Sequence, residues 1–135
     1  MLFGFLQNNT RIMIDIQFEE QYTLISVLDT QPIEELPGEI EQAVRENLEQ
    51  ANSNFIIYME TLLSAPENWA GFFRALAGII NGHNGILVIA AAPEILEERL
   101  QEMNVITTPT LDEANDYVFM EEIEKNFFKD EDEEE

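Results

Sequence analysis

The chain has 135 residues, 45% of them hydrophobic and nine of them Phe; this suffices for one packed domain, is too little for two, and excludes disorder over most of the length. Six Lys and Arg oppose 28 Asp and Glu for a formal charge of −22, a surface that repels phosphate backbones and anionic lipid and so excludes nucleic acid and membrane surfaces as partners. The absence of cysteine excludes disulfides, thiol nucleophiles and thiolate-held metals.

The apolar start, Met1 to Leu6, has no basic flank and is shorter than a signal-peptide core. No apolar run approaches the roughly 20 residues that span a bilayer, so a cytoplasmic protein is expected. The acidity itself leaves two readings open. It keeps the molecule dispersed, or it meets a basic protein surface or a cation.

Ile12, Ile14 and Ile16 alternate with Met13, Asp15 and Gln17, the period of a half-buried strand. Tyr22 to Leu28 (YTLISVL) reads as a second strand, and the polar Glu19–Gln21 between them predicts an antiparallel hairpin. Pro32 and Pro37 predict a loop. From Gly38, Ile40, Ala43, Val44, Leu48 and Ala51 fall at helical spacing, and 51–54 (ANSN) closes that first helix. Phe55 to Met59 (FIIYM) is a short, continuously apolar run, as expected of a parallel strand buried on both faces.

The second helix carries a wide apolar stripe of Trp69, Phe72, Phe73, Leu76, Ile79 and Ile80, stopped by 82–85 (GHNG). Ile86 to Ile89 is a further buried strand. Pro93 opens a third helix with Ile95, Leu96, Leu100 and Met103 expected to face inward. Val105-Ile106 is a last short strand. Thr110 and Glu113 form a capping box for a fourth helix buried through Leu111, Ala114, Tyr117 and Val118. Phe127 and Phe128 are expected to pin that helix, and 129–135, with no apolar residue, reads as a disordered acidic tail after a single domain over 1–128. The order β-β-α-β-α-β-α-β-α predicts an α/β fold, a mixed sheet of four to five strands with helices packed on it.

Few residues here suggest catalysis. His83, the one histidine, lies in a Gly/Asn-rich turn away from the carboxyl ends of the strands and reads as a solvent-exposed turn residue. Glu97, Glu98 and Glu102 read as solvated charge on one helix rather than as a metal site. Neither a phosphate-cradling glycine loop nor a nucleophile–base pair is recognisable. The expectation is a protein without enzymatic activity and without a cofactor.

The series FIIYM, an apolar helix ending in INGHNG, ILVIAAA, PEILEERLQEMNV and TLDEA, in this order from Phe55 to Val118, resembles the STAS domain, the fold of anti-sigma factor antagonists and of cytoplasmic regions of sulfate transporters. The resemblance implies a partner-switching module. In that family an anti-sigma kinase docks at the turn before the second helix and phosphorylates a Ser or Thr in Asp-Ser-Ser/Thr-Gly-x-Gly. The phosphate there blocks binding by adding charge at a helix start. Here that turn falls on Pro66-Glu67-Asn68-Trp69-Ala70-Gly71, in which Gly71 alone is kept and neither hydroxyl stands.

The resemblance therefore implies partner binding through Ser64, Pro66, Glu67, Asn68, Trp69 and Gly71 and the second helix, without the usual phosphorylation switch. Ser64 reads either as a shifted phosphorylation site or as the cap of Ser64-Ala-Pro-Glu67, and Glu67 as a stand-in for a phosphate or simply part of the turn. Trp69 is either core beneath the loop or an exposed anchor. The expected partner is a protein, an anti-sigma factor or kinase-like chain with a basic surface. The alternatives are a small-ligand (nucleotide or lipid) STAS domain, with Trp69 and the Phe pair lining its pocket, or a homodimeric structural module.

Overall fold

Ile14 and Ile16, alternating with Asp15 and Gln17, make a strand, β1 (Ile14–Phe18), that turns through Glu19–Gln21 and returns antiparallel as β2 (Thr23–Val27), with Ile14 opposite Val27 and Phe18 opposite Thr23. The structure, a computed structural model, describes residues 13–28, 33–49 and 53–134. Expectations for Met1–Leu6, Ile12, Pro32 and Ala51 lie outside the described residues.

After a 3-10 turn at Ile33–Glu35, the first helix, α1 (Leu36–Asn47), begins two residues earlier than the loop-breaking role of Pro37 predicted. Pro37 sits inside its first turn, where a missing amide proton costs nothing because no earlier carbonyl awaits it. Strand β3 (Phe55–Tyr58) follows, then α2 (Trp69–Asn81), β4 (Leu87–Ala90), α3 (Glu94–Glu102), β5 (Ile106–Thr108) and α4 (Leu111–Glu134).

The strands form one mixed sheet in the order β1-β2-β3-β4-β5, antiparallel between β1 and β2 and parallel from β2 onward. Since each parallel crossover is right-handed and the strand order never reverses, α1, α2 and α3 must all lie on one face. The packing agrees. Ile25, Ile57 and Ile89 stand in register across three strands and pack with Leu36, Ile40 and Val44 of α1, Phe73, Leu76 and Ile80 of α2, and Leu96 and Leu100 of α3. The next residues along, Leu24, Ile56 and Val88, point to the opposite face, where α4 covers them with Ala114 and Val118. Thr110 caps α4 as read, accepting a hydrogen bond from the amide of Glu113 at 3.1 Å.

Three local readings are corrected. Ile95 is 56% exposed, because only Leu96 and Leu100 of the short α3 lie on the sheet-facing line. Phe127 is also more than half exposed, since α4 outruns the sheet it covers; the side chain of Phe128 lies outside the described residues. Residues 129–134 continue α4 as its last turns. The last strand is likewise shifted, starting at Ile106 and ending at Thr108, while Val105 is buried just before it.

At the amino end of the parallel strands the loops are held by one buried side chain. Asn54 Oδ1 accepts from the amide of Ile86 at 3.1 Å, and Asn54 Nδ2 donates to the carbonyl of Gln21 at 3.0 Å and to Glu122 at 2.7 Å. It thus ties the starts of β2 and β4 and the middle of α4 to the start of β3. Beside it, a Cβ built on Gly85 would lie 1.9 Å from the carbonyl oxygen of Ser53, so the chain crossing here requires glycine. The left-handed residue that ends α2 is not a glycine but Asn84, at φ 66°.

Asn54→Ala is expected to cost about 2 kcal/mol by leaving buried backbone groups without partners. Gly85→Ala is expected to cost at least about 2 kcal/mol through forced displacement of 53. Urea unfolding checks both, as a lowered midpoint at unchanged slope.

Candidate functional site

In open parallel sheets, sites form at the carboxyl ends of the strands, where neighbouring connections leave toward opposite faces. Here that place lies between β4, which continues into α3 on one face, and β5, which continues into α4 on the other. The residue that leaves β4, Ala91, has φ 59°, the left-handed region that a Cβ disfavours by about 1–2 kcal/mol. Its amide donates to the carbonyl of Thr108 at 2.9 Å, and Thr108 Oγ1 donates to the carbonyl of Thr110 at 2.8 Å. The two neighbouring connections are thereby latched to one another.

On the other side of β4, Tyr58 ends β3 and donates its hydroxyl to Glu60 Oε1 at 2.5 Å. That hydrogen bond, then desolvation, then the charges of Glu60 and Asp112 hold the phenol above its ordinary pKa, so it stays a neutral donor throughout the physiological range. The segment between β3 and α2 is anchored from below. Met59 and Leu62 are buried, and Thr61 Oγ1 donates to the carbonyl of Val27 at 2.7 Å. With Leu62 turned in, Leu63 is turned out, and it is 94% exposed.

Of the residues singled out in the sequence, Ser64, Pro66, Glu67, Asn68 and Gly71 are all exposed along this segment and the first turn of α2. Ser64 does not cap the helix. The N-cap of α2 is Asn68, without a side-chain bond, and the first turn is held by backbone bonds from Trp69 to the carbonyl of Pro66 and from Ala70 to that of Glu67, both 3.1 Å. The capping expectation fails because α2 starts at Trp69, five residues after Ser64, which leaves Ser64 too far from the helical amides. Among the described residues the Ser64 hydroxyl has no hydrogen-bond partner.

Trp69 resolves as core. It is 7% exposed, belongs to the cluster under α1, α2 and α3, and meets Phe73 edge-to-face at 6.5 Å. Phe73 in turn meets Phe72 at 4.9 Å. The indole is therefore not the exposed anchor that was one of its two readings. Glu67 makes an ion pair with Arg99 of α3 at 3.1 Å, and Arg99 also reaches Glu102 at 3.1 Å. The hydrogen bonds to Glu102 and then Glu67 raise the guanidinium pKa further above its usual value, so the charge is permanent. Nothing lies within 4 Å of a Cβ built on Gly71, so packing does not demand a glycine there.

Leu63 and Arg99 were not found from sequence. A Leu-Leu pair in an irregular segment carried the only signal for Leu63, because a loop crossing an edge can bury one neighbour and not both. For Arg99 the signal was its rarity as one of six basic residues; its partner 32 positions away could not be read. His83 lies at the opposite end of the sheet, exposed, with Nδ1 3.1 Å from the carbonyl of Ile79. Among the described residues no cluster of three His, Cys, Asp or Glu is arranged to hold a metal ion, and no helix is long and apolar enough to cross a membrane.

Ala91→Gly is expected to raise the unfolding free energy by up to about 1 kcal/mol, relief of the left-handed backbone outweighing the added freedom of the unfolded chain. Thermal unfolding of the variant beside the parent checks the sign.

No protein-family model matches the chain, and no curated protein matches it either.

Proposed function

We propose that this chain is a non-catalytic interaction module of the anti-sigma-antagonist type, docking a protein partner through Leu63, Ser64, Pro66, Glu67, Asn68 and Gly71 at the carboxyl edge of the sheet. The observation that carries the reading is Leu63, an almost wholly exposed leucine on a segment whose neighbours Met59 and Leu62 are buried. Such a residue forgoes the 1.5–3 kcal/mol or so that its burial would supply, and a partner's pocket recovers it. Pro66 and the Glu67–Arg99 ion pair form a rim whose negative charge is partly cancelled, Arg99 being shared between Glu67 and Glu102.

The absence of catalysis belongs to the same proposal. Several polar groups of this edge are paired with one another, Tyr58 with Glu60, Glu67 with Arg99, and Thr108 with the carbonyl of Thr110. Support for the STAS-like reading is the element order and the place of the segment before α2, and the reading includes a cytoplasmic setting and the absence of a cofactor. Ser64, exposed and without a hydrogen-bond partner among the described residues, is the candidate modification site; a phosphate there would set a dianion beside Leu63 and disfavour the hydrophobic contact. The nucleotide- or lipid-binding alternative loses its aromatic wall, since Trp69 and Phe73 are buried in the main core.

The test is titration with a kinase-like anti-sigma factor of the class that STAS domains bind, followed by calorimetry. Leu63→Asp and Glu67→Lys are each expected to weaken binding about ten-fold or more, and His83→Ser, exposed at the opposite end of the sheet, to leave it unchanged. No binding, together with retention of nucleotide or lipid by the purified protein, would overturn the proposal in favour of a ligand carrier.

A further inference from the structure

A helix that packs on a sheet by one side normally turns a polar side to water. The sheet-facing line of α4 is Ala114 and Val118, both fully buried, flanked by the partly buried Leu111 and Tyr117. At about 100° per residue, Phe119 and Ile123 stack one turn apart on the opposite side, with Met120 beside them. Their exposures are 49%, 44% and 53%. The helix is thus apolar on two opposed sides, and the sheet uses only one.

The setting of this second row is strongly acidic. From Leu111 to Glu134 the helix carries eleven Asp and Glu against two Lys. Lys125, itself exposed, is engaged on the sheet-facing side of the helix, its Nζ 2.7 Å from the carbonyl of Asn84 and 3.3 Å from Glu122, away from Asp116 and Glu124 along the outer row. At the start of the row, Phe119 also forms one wall of a groove of about 230 Å³ between α4 and the β1–β2 turn. Tyr22 is another wall, and Glu19 and Glu20 line the same groove. Burial and then the charge of Glu19 raise the Tyr22 pKa.

We propose that the outer face of α4 and this groove form a second docking surface, distinct from the carboxyl-edge segment, that takes a Lys/Arg-rich amphipathic helix of another protein. The apolar side of that helix would lie on Phe119, Met120 and Ile123. A basic side chain at its end would enter the groove, its aliphatic stem and cationic head against Tyr22 and Phe119 and its charge facing Glu19. Charge decides the occupant. A second copy of this chain would set Asp116 and Glu124 against their own like, whereas a basic helix neutralises them.

The experiment uses the full chain and a fluorescent Leu/Lys peptide that is amphipathic as a helix, titrated by fluorescence anisotropy at about 0.15 M salt, where longer-range attraction is screened. A scrambled peptide of the same composition separates docking from general attraction to a charge of −22. The expected result is binding of the amphipathic peptide, about ten-fold weaker with the scrambled peptide and with the double variant F119S/I123S. Both substituted residues are about half exposed, so the variant's thermal midpoint should stay close to the parent's. Glu19→Gln, which leaves the apolar row intact, should weaken binding and flatten its salt dependence. Equal affinity for the scrambled peptide or for F119S/I123S would overturn the proposal. So would a dimer of the parent chain in light scattering that F119S/I123S abolishes.

Discussion

Two adjacent strands that are apolar on both sides set the terms for everything else in this molecule. Phe55, Ile56 and Ile57 of β3 and Val88, Ile89 and Ala90 of β4 have no solvent exposure at all, so neither face of the sheet can be left to water. A parallel strand pair needs a crossover, right-handed crossovers in constant strand order put their helices on one side, and the other side must then be covered by something that follows the last strand. That is α4. It discharges the obligation with small residues, Ala114 and Val118, which let the helix sit close.

The same constraint makes the carboxyl edge of the sheet the natural place for a site. Connections depart there to opposite faces, and the backbone must turn sharply; Ala91 is left-handed because the amide that leaves β4 has to reach Thr108. The segment before α2 crosses this edge with Met59 and Leu62 as its roots, and its two-sided geometry presents Leu63 outward. The residues drawn into the core, Trp69 above all, give the segment a rigid base rather than a binding surface. In the reading proposed above, recognition is made by what the core leaves over.

Charge divides the surface unevenly. At the segment before α2, Arg99 is shared between Glu67 and Glu102, so the local field is partly cancelled. Along α4 the one described ion pair, Lys125 with Glu122, lies on the sheet-facing side, and the exposed apolar row lies inside a strongly acidic stretch of the chain. A surface that is both apolar and acidic resists pairing with itself while suiting basic amphipathic partners. The two proposed surfaces stand at opposite ends of the strands, one near Leu63 and one beside the β1–β2 turn.

The element order and the mixed sheet are legible in the residues alone, because period-2, continuous and helical apolar patterns answer to local backbone geometry, and each kind is present here. So are the cap at Thr110 and the inward faces of α1 and α2. Boundaries slipped where a residue plays a part other than its usual one, as with Pro37 inside a first turn and Asn84 in place of a glycine. That Trp69 is core, that Leu63 is exposed, that Glu67 meets Arg99, that Gly85 abuts residue 53, and that Ile95 faces water all depend on packing between distant elements. The reason is physical. A side chain's choice between core and solvent depends on where the neighbouring elements end, and contacts across 32 positions are made by the sheet, not by the local chain.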